Sequence, residues 1–155
     1  MGLEEAHGPR RVLVGVGAQG RSTVVADGPV ELRAMRSNGS VVHDLWQQPV
    51  IPAKTTDEGF AAVEPGALPR TGAIVRFLTI PPGTSRERPT LDLHTTPALI
   101  VLTVITGRTL VVVEAGEVVL EPGDTAVIPG SMHDIGNVSD VAAQVIFTVF
   151  PLTTE

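Results

Sequence analysis

His94 and His133 are the residues of this chain best suited to chemistry. They bracket the stretch from Leu91 to Asn137, which opens on Leu91-Asp92-Leu93-His94 and closes on Pro129-Gly130-Ser131-Met132-His133, with Asn137 four residues further on. Two long apolar runs and two turns separate the histidines, an order that lets both imidazoles meet from different strands inside one small barrel. Two imidazoles that meet can hold a metal or move protons. A catalytic metal generally takes three protein ligands and an open position. His94 and His133 supply two; Asp92 shares strand parity with His94 and is the candidate third, while Glu114 is a further carboxylate with no positional argument behind it. Without a metal, neutral imidazoles in an apolar cavity can accept or donate a proton near neutral pH. In a third reading both rings are satisfied by backbone carbonyls and do no chemistry.

The elements that must position them read as strands. From Asp92, alternation puts Asp92, His94, Thr96, Ala98, Ile100, Leu102 and Val104 on one face and Leu93, Thr95, Pro97, Leu99, Val101, Thr103 and Ile105 on the other. Both faces are largely apolar, so the strand is expected to be covered by a barrel interior on one side and by a second layer or subunit on the other, which favours a homodimer. Gly107-Arg108, Ala115-Gly116 and Pro122-Gly123-Asp124 then punctuate three short strands, the spacing of a small all-β barrel or sandwich. Helical periodicity is absent.

Upstream, Arg11-Val12-Leu13-Val14 reads as a strand running into Gly15-Val16-Gly17-Ala18-Gln19-Gly20, a dinucleotide-binding fingerprint in form. That fingerprint works only when a helix follows and presents free N–H groups to a pyrophosphate. Arg21 to Ala26 is rich in β-branched residues instead, and Asp27-Gly28-Pro29 turns the chain, so the glycines read as a turn. Val30 to Met35 and Ser40 to Gln47 form a hairpin about Ser37-Asn38-Gly39. In its second strand Val42, Asp44 and Trp46 are expected on one face, and His43 reads as structural. Residues 48–72 are a long Pro- and Gly-rich loop that reads as a lid, an arm toward a neighbouring subunit or a loose connection, the last being favoured. Ala73 to Ile80 resumes strand character, and Arg76 within it must be a pocket residue or half of a salt bridge, since an unpaired buried charge is costly.

Composition narrows the function classes. The chain has 155 residues, no cysteine, a formal charge of −6 and a single lysine, Lys54. That length suits one domain, with residues 1–10 a mobile N-terminal tail and 11–155 the folded unit. No disulfide, thiolate metal site or cysteine nucleophile is available. Nothing supplies the basic stripe that nucleic acid or anionic lipid requires, so neither is expected as a partner. The acidic start lacks an apolar signal core and no apolar run approaches a membrane span, so the expected location is cytoplasmic.

The motifs resemble those of the cupin family, G-x5-H-x-H-x3,4-E-x6-G followed by G-x5-P-x-G-x2-H-x3-N. Gly130, His133 and Asn137 keep the G-x2-H-x3-N spacing of the second, and Gly123, which opens it, and Pro129 each sit one residue late. Aligned on Gly107, the first motif keeps His94 but has Thr96 for the second histidine and Ile100 for the glutamate. A bacterial branch of single-domain cupins looks similar over nearly the whole chain. Of its H-R-T-x-T-x-D-Y stretch, only His94 and Thr96 survive here. The resemblance implies an all-β double-stranded β-helix or jelly-roll barrel whose usual metal ligands are half missing. The expectation is therefore a metal-independent enzyme with no cofactor, in which His94 and His133 act on a hydrophobic, polyketide-like small molecule by dehydration, isomerisation, cyclisation or decarboxylation. Trp46, Arg76, Thr96, Ile100, Leu102 and Asn137 are the expected pocket residues, with Arg76 an anchor for a carboxylate or enolate. The alternatives are a metal-dependent dioxygenase or decarboxylase with one Fe, Mn, Zn or Ni on His94, His133 and Asp92, and a non-catalytic ligand-binding or structural cupin.

Overall fold

A computed structural model describes residues 8–31, 33–54, 64–83 and 92–153. Most of the expected tail, the middle of the 48–72 loop and Leu91 lie outside those residues. Eleven strands and no helix are formed among the described residues. The first two, β1 (Arg10–Val16) and β2 (Ser22–Pro29), pair as an antiparallel hairpin of their own. Its tip is the glycine-rich stretch, closed by bonds from Gly20 N to Gly17 O and from Gly17 N to Arg21 O, both 2.9 Å. The chain leaves that tip as a strand, because Thr23, Val24 and Val25 favour extended backbone. No helix N-terminus follows to hold a pyrophosphate, and the turn reading holds.

Six strands make the main sheet, in the order β3-β4-β5-β11-β6-β9. They are β3 (Arg33–Met35), β4 (Val41–Gln48), β5 (Ala73–Ile80), β6 (Ala98–Thr106), β9 (Thr125–Pro129) and β11 (Ala143–Pro151). The other three, β7 (Thr109–Val113), β8 (Gly116–Leu120) and β10 (Asp134–Asn137), form a smaller sheet in the order β10-β7-β8. The chain changes sheet after β6, after β8, after β9 and after β10, which wraps the two sheets around a common interior. Gly107 makes the first of these crossings possible. Its φ is +74°, and a Cβ there would lie 2.8 Å from the backbone of Ala143.

The interior is the alternating face that the sequence pattern marks. Ala98, Ile100, Leu102 and Val104 of β6 are buried together with Leu78 and Ile80 of β5, Val145 and Phe147 of β11, and Val111 and Leu120 from the smaller sheet. The strand begins at Ala98, later than the alternation from Asp92 suggests, because Pro97 cannot donate to a ladder. Residues 92–97 run into it as an extended lead. The 48–72 loop leaves from Gln48 and returns at Ala73, which are direct partners in the sheet. Gly72 permits that closure, with a φ of +73° and no room for a Cβ beside the Gln48 carbonyl.

His43 lies on the outer face of β4, opposite Arg33 and Phe77. Gly8 packs against its ring, it is 4% exposed, and neither ring nitrogen has a hydrogen-bond partner among the described residues. Its structural reading stands. Burial first, and then the charge of Arg33, hold its pKa below the usual 6.5. The unfolded chain therefore takes up a proton as the pH falls through about 6.5 while the folded chain resists it, so stability declines over that interval until the folded ring also titrates. Thermal unfolding between pH 8 and pH 5 is expected to give a Tm that falls with acidification, and a shallower fall in His43→Leu.

Candidate functional site

A cavity of about 720 Å³ opens between the sheets. Val42, Leu78, Ile80, Ile100, Phe147 and Val149 give it apolar walls, and its polar groups include Arg36, Arg76, His94, Thr96 and His133. The volume falls within the range of small-molecule sites. The mouth is bordered by the hairpin turn that carries Ser37 and Asn38, and by Pro65, Gly66 and Leu68 at the returning end of the long loop. A Cβ on Gly66 would lie 3.2 Å from that of Ala34, which measures how closely the loop approaches β3. The returning end of the loop therefore borders the chain's own cavity at Pro65, Gly66 and Leu68.

The histidines are held by their backbones. His94 N donates to His133 O and His133 N to His94 O, both 3.0 Å, a two-residue antiparallel bridge joining the lead into β6 to the crossing from β9 to β10. The bridge brings the ring centroids to 4.7 Å with the planes tilted by 50°. Each Nδ1 meets a carbonyl oxygen two residues earlier, that of Asp92 at 2.9 Å for His94 and that of Ser131 at 2.7 Å for His133. A carbonyl only accepts, so in each neutral ring Nδ1 carries the hydrogen and Nε2 the lone pair. Neither Nε2 has a hydrogen-bond partner among the described residues. The two rings differ in access, His94 being exposed and His133 only 2% exposed.

Arg76 is both of the things its position allows. It is buried, lines the cavity and donates through Nε to Asp44 Oδ1 at 2.6 Å. Its Nη2 reaches the Ala67 carbonyl, which ties the long loop to β5. Gln47 Nε2 adds a bond of 2.9 Å to Asp44 Oδ2. Gln47 reaches the interior because the register slips between Asp44 and Trp46, pairing Asp44 with Arg76 and Trp46 with Val75. A bulge of this kind reverses the side-chain alternation beyond it. Strict alternation places Trp46 beside Asp44 in the pocket; the bulge instead turns it to the outer face, where Nε1 donates to Gln48 Oε1 at 3.1 Å.

Two further expectations need correction. Leu102 has the parity of Ile100 but is wholly inside the packed core, between Phe147 and Ala126 of the flanking strands, and does not line the cavity. Asn137 is also fully buried and acts as a clamp: its Nδ2 donates to the carbonyls of Val141, Ile80 and Pro81, and its Oδ1 accepts from Ser139 N and Oγ. Arg36, Ser40, Phe147 and Val149 border the cavity without any sequence signal that marks them. Their places follow from sheet order alone.

The donor set for a metal is short. His94 and His133 offer two Nε2 lone pairs, but no three His, Asp or Glu groups gather around one point among the described residues. Asp92 meets His94 through its backbone carbonyl, and exposed Glu114 is not among the cavity residues. These residues do not make the three-ligand site that a catalytic metal wants. No described helix is long and apolar enough to cross a membrane.

Residues 76–149 match the cupin domain family. The fold agrees with solved structures. The cupin domain of Cnp3 from Schizosaccharomyces pombe superposes with a TM-score of 0.55 at 12% identity, covering 92% of this chain and 87% of that one. KdgF from Halomonas sp. gives 0.54 at 15% identity, covering 78% and 88%. Identities this low carry the fold and no more. No curated protein matches the sequence.

Breaking the buried ion pair from one side leaves an uncompensated charge, which typically costs about 3–5 kcal/mol. Asp44→Leu is expected to lose that much in denaturant unfolding. Asp44→Leu combined with Arg76→Met is expected to recover a large part of the loss.

Proposed function

The chain carries a cupin-superfamily domain, and on that premise we propose that it is a small-molecule enzyme whose His94 and His133 move protons on a hydrophobic substrate without a metal. One observation carries the reading: both Nδ1 atoms are committed to carbonyl oxygens, which leaves two adjacent Nε2 lone pairs at a cavity with apolar walls. One Nε2 takes a proton from an acidic carbon of the substrate, and the resulting imidazolium returns it. Delivery to a different atom is an isomerisation; delivery to a departing hydroxyl releases water and completes a dehydration. Buried His133 suits the step at the substrate, and exposed His94 suits proton exchange with solvent. Cyclisation or decarboxylation of a polyketide-like intermediate uses the same pair. The location proposed for this chemistry is cytoplasmic.

The second reading is a metal-dependent dioxygenase or decarboxylase, favoured by the same two Nε2 atoms, since Nε2 of a ring whose Nδ1 is anchored is a common metal donor. A ligand-binding cupin without catalysis is the third. General acid–base groups contribute roughly 10²–10⁴-fold, so His133→Ala and His94→Ala are expected to lose at least two orders of magnitude in turnover of any substrate identified by screening. Elemental analysis of the purified native protein is expected to find well under one transition metal per chain. A full equivalent, with activity lost on chelation, would move the assignment to the metal-dependent reading. Turnover unaffected by either substitution would leave only the binding role.

We also propose a homodimer. The outer face of the main sheet presents Phe77, Ile146 and Val101 on neighbouring strands, with Val127 62% exposed at its edge. Contiguous apolar surface of this kind is characteristic of association sites. Light scattering is expected to give twice the chain mass of 16.2 kDa, and Ile146→Glu, at the middle of that face, is expected to give the monomer.

A further inference from the structure

Arg36 follows β3 directly, and its place is fixed by its own backbone, since Arg36 N donates to Ser40 O at 2.8 Å and Gly39 N to Arg36 O at 2.9 Å across the hairpin turn. Its side chain lines the cavity with Arg76. The two cations are not equivalent. Arg76 is committed to Asp44 and to the Ala67 carbonyl, and Asp44 is further engaged by Gln47. No carboxylate or carbonyl among the described residues accepts from the Arg36 guanidinium. Of the acidic groups bordering the cavity, Asp134 accepts from the Ile135 amide through Oδ1 at 2.8 Å, and Asp92 is exposed.

We infer that Arg36 is a specificity-determining residue and that the substrate is a hydrophobic organic acid, its carboxylate taken by the Arg36 fork while its apolar body lies against Val42, Leu78 and Ile100. A guanidinium offers two parallel N–H donors that match a carboxylate in a plane. One fork suits a singly charged planar group. Arg36 is exposed at the cavity mouth; partial desolvation of its guanidinium, followed by the nearby charge of Arg76, still lowers its pKa from the ordinary value against the opposing charge of Asp44, and a bound anion offsets the first two effects. The inference rests on the small-molecule reading of the same cavity, but it assigns the anchor to Arg36 where the sequence points only to Arg76.

The test uses phenylacetate and decanoate against their primary amides, with the wild-type full chain, Arg36→Met and Arg36→Lys. Binding is read by calorimetry and by the Arg Nε–H signals in ¹H–¹⁵N spectra. The expected result is binding of at least one carboxylate at least ten-fold tighter than its amide, with a shift of the Arg36 signal. That preference should be lost in Arg36→Met and partly kept in Arg36→Lys. Equal binding of acid and amide, or a preference that survives Arg36→Met, overturns the acid assignment and leaves a cavity for neutral molecules. Failure of every acid and amide to bind overturns both the acid assignment and the small-molecule reading beneath it. Acid binding that depends on Arg36, in a protein whose turnover is indifferent to both histidines, upholds the anchor and removes the proton-transfer role.

Discussion

The buried pair of Asp44 and Arg76 is the interaction on which the rest of the site depends. Two charges inside an apolar interior are tolerated only when they satisfy each other and their remaining donors and acceptors find partners. Here Asp44 accepts from Arg76 and Gln47, and Arg76 also reaches the Ala67 carbonyl. Those contacts join adjacent strands, fix the bulge that brings Gln47 inward, and bind the returning end of the long loop beside the cavity. The pair also shapes the electrostatics next to it. Asp44 is engaged by Arg76 and Gln47, and among the described residues no carboxylate accepts a hydrogen bond from Arg36 at the mouth.

The histidine pair illustrates a second constraint, in which backbone geometry decides chemistry. Reciprocal amide-to-carbonyl bonds set the distance between the rings, and carbonyls two residues upstream set their tautomers. Side-chain freedom is thereby removed before any ligand arrives, which is the preorganisation that proton transfer or metal binding would each require. What differs between those two uses is the remainder of the shell. Thr96 and Ile100 occupy the positions where the family pattern places a histidine and a glutamate, so the cavity that holds the two imidazoles is lined there by a hydroxyl and an aliphatic side chain.

The outer surface follows the same logic of unequal faces. A strand apolar on both sides has to be covered twice. The interior face of β6 packs in the core with the smaller sheet and Phe147, while Val101 on the outer face is only half-buried among the described residues. His43 is a local exception, buried with Gly8 against its ring and, among the described residues, no partner for either ring nitrogen.

Local pattern was sufficient for much of this. Alternation located the strands and the buried face of β6; Ser37-Asn38-Gly39 and the glycine-rich tip declared their turns; the spacing of His94, Gly130, His133 and Asn137 pointed to the fold and to the meeting of two imidazoles. These features are legible because each is written in residues close in sequence, where a period of two or a turn residue has a direct structural consequence. Tertiary structure alone decided the rest. A one-residue bulge after Asp44 exchanged Trp46 for Gln47 at the interior, since parity is counted from a register that only the partner strand sets. Packing depth separated Ile100 at the cavity from Leu102 in the core, although both share one face. Sheet order carried Arg36, on a hairpin far from either histidine in sequence, to the same cavity, and no periodicity or motif encodes which distant residues a closed barrel brings together.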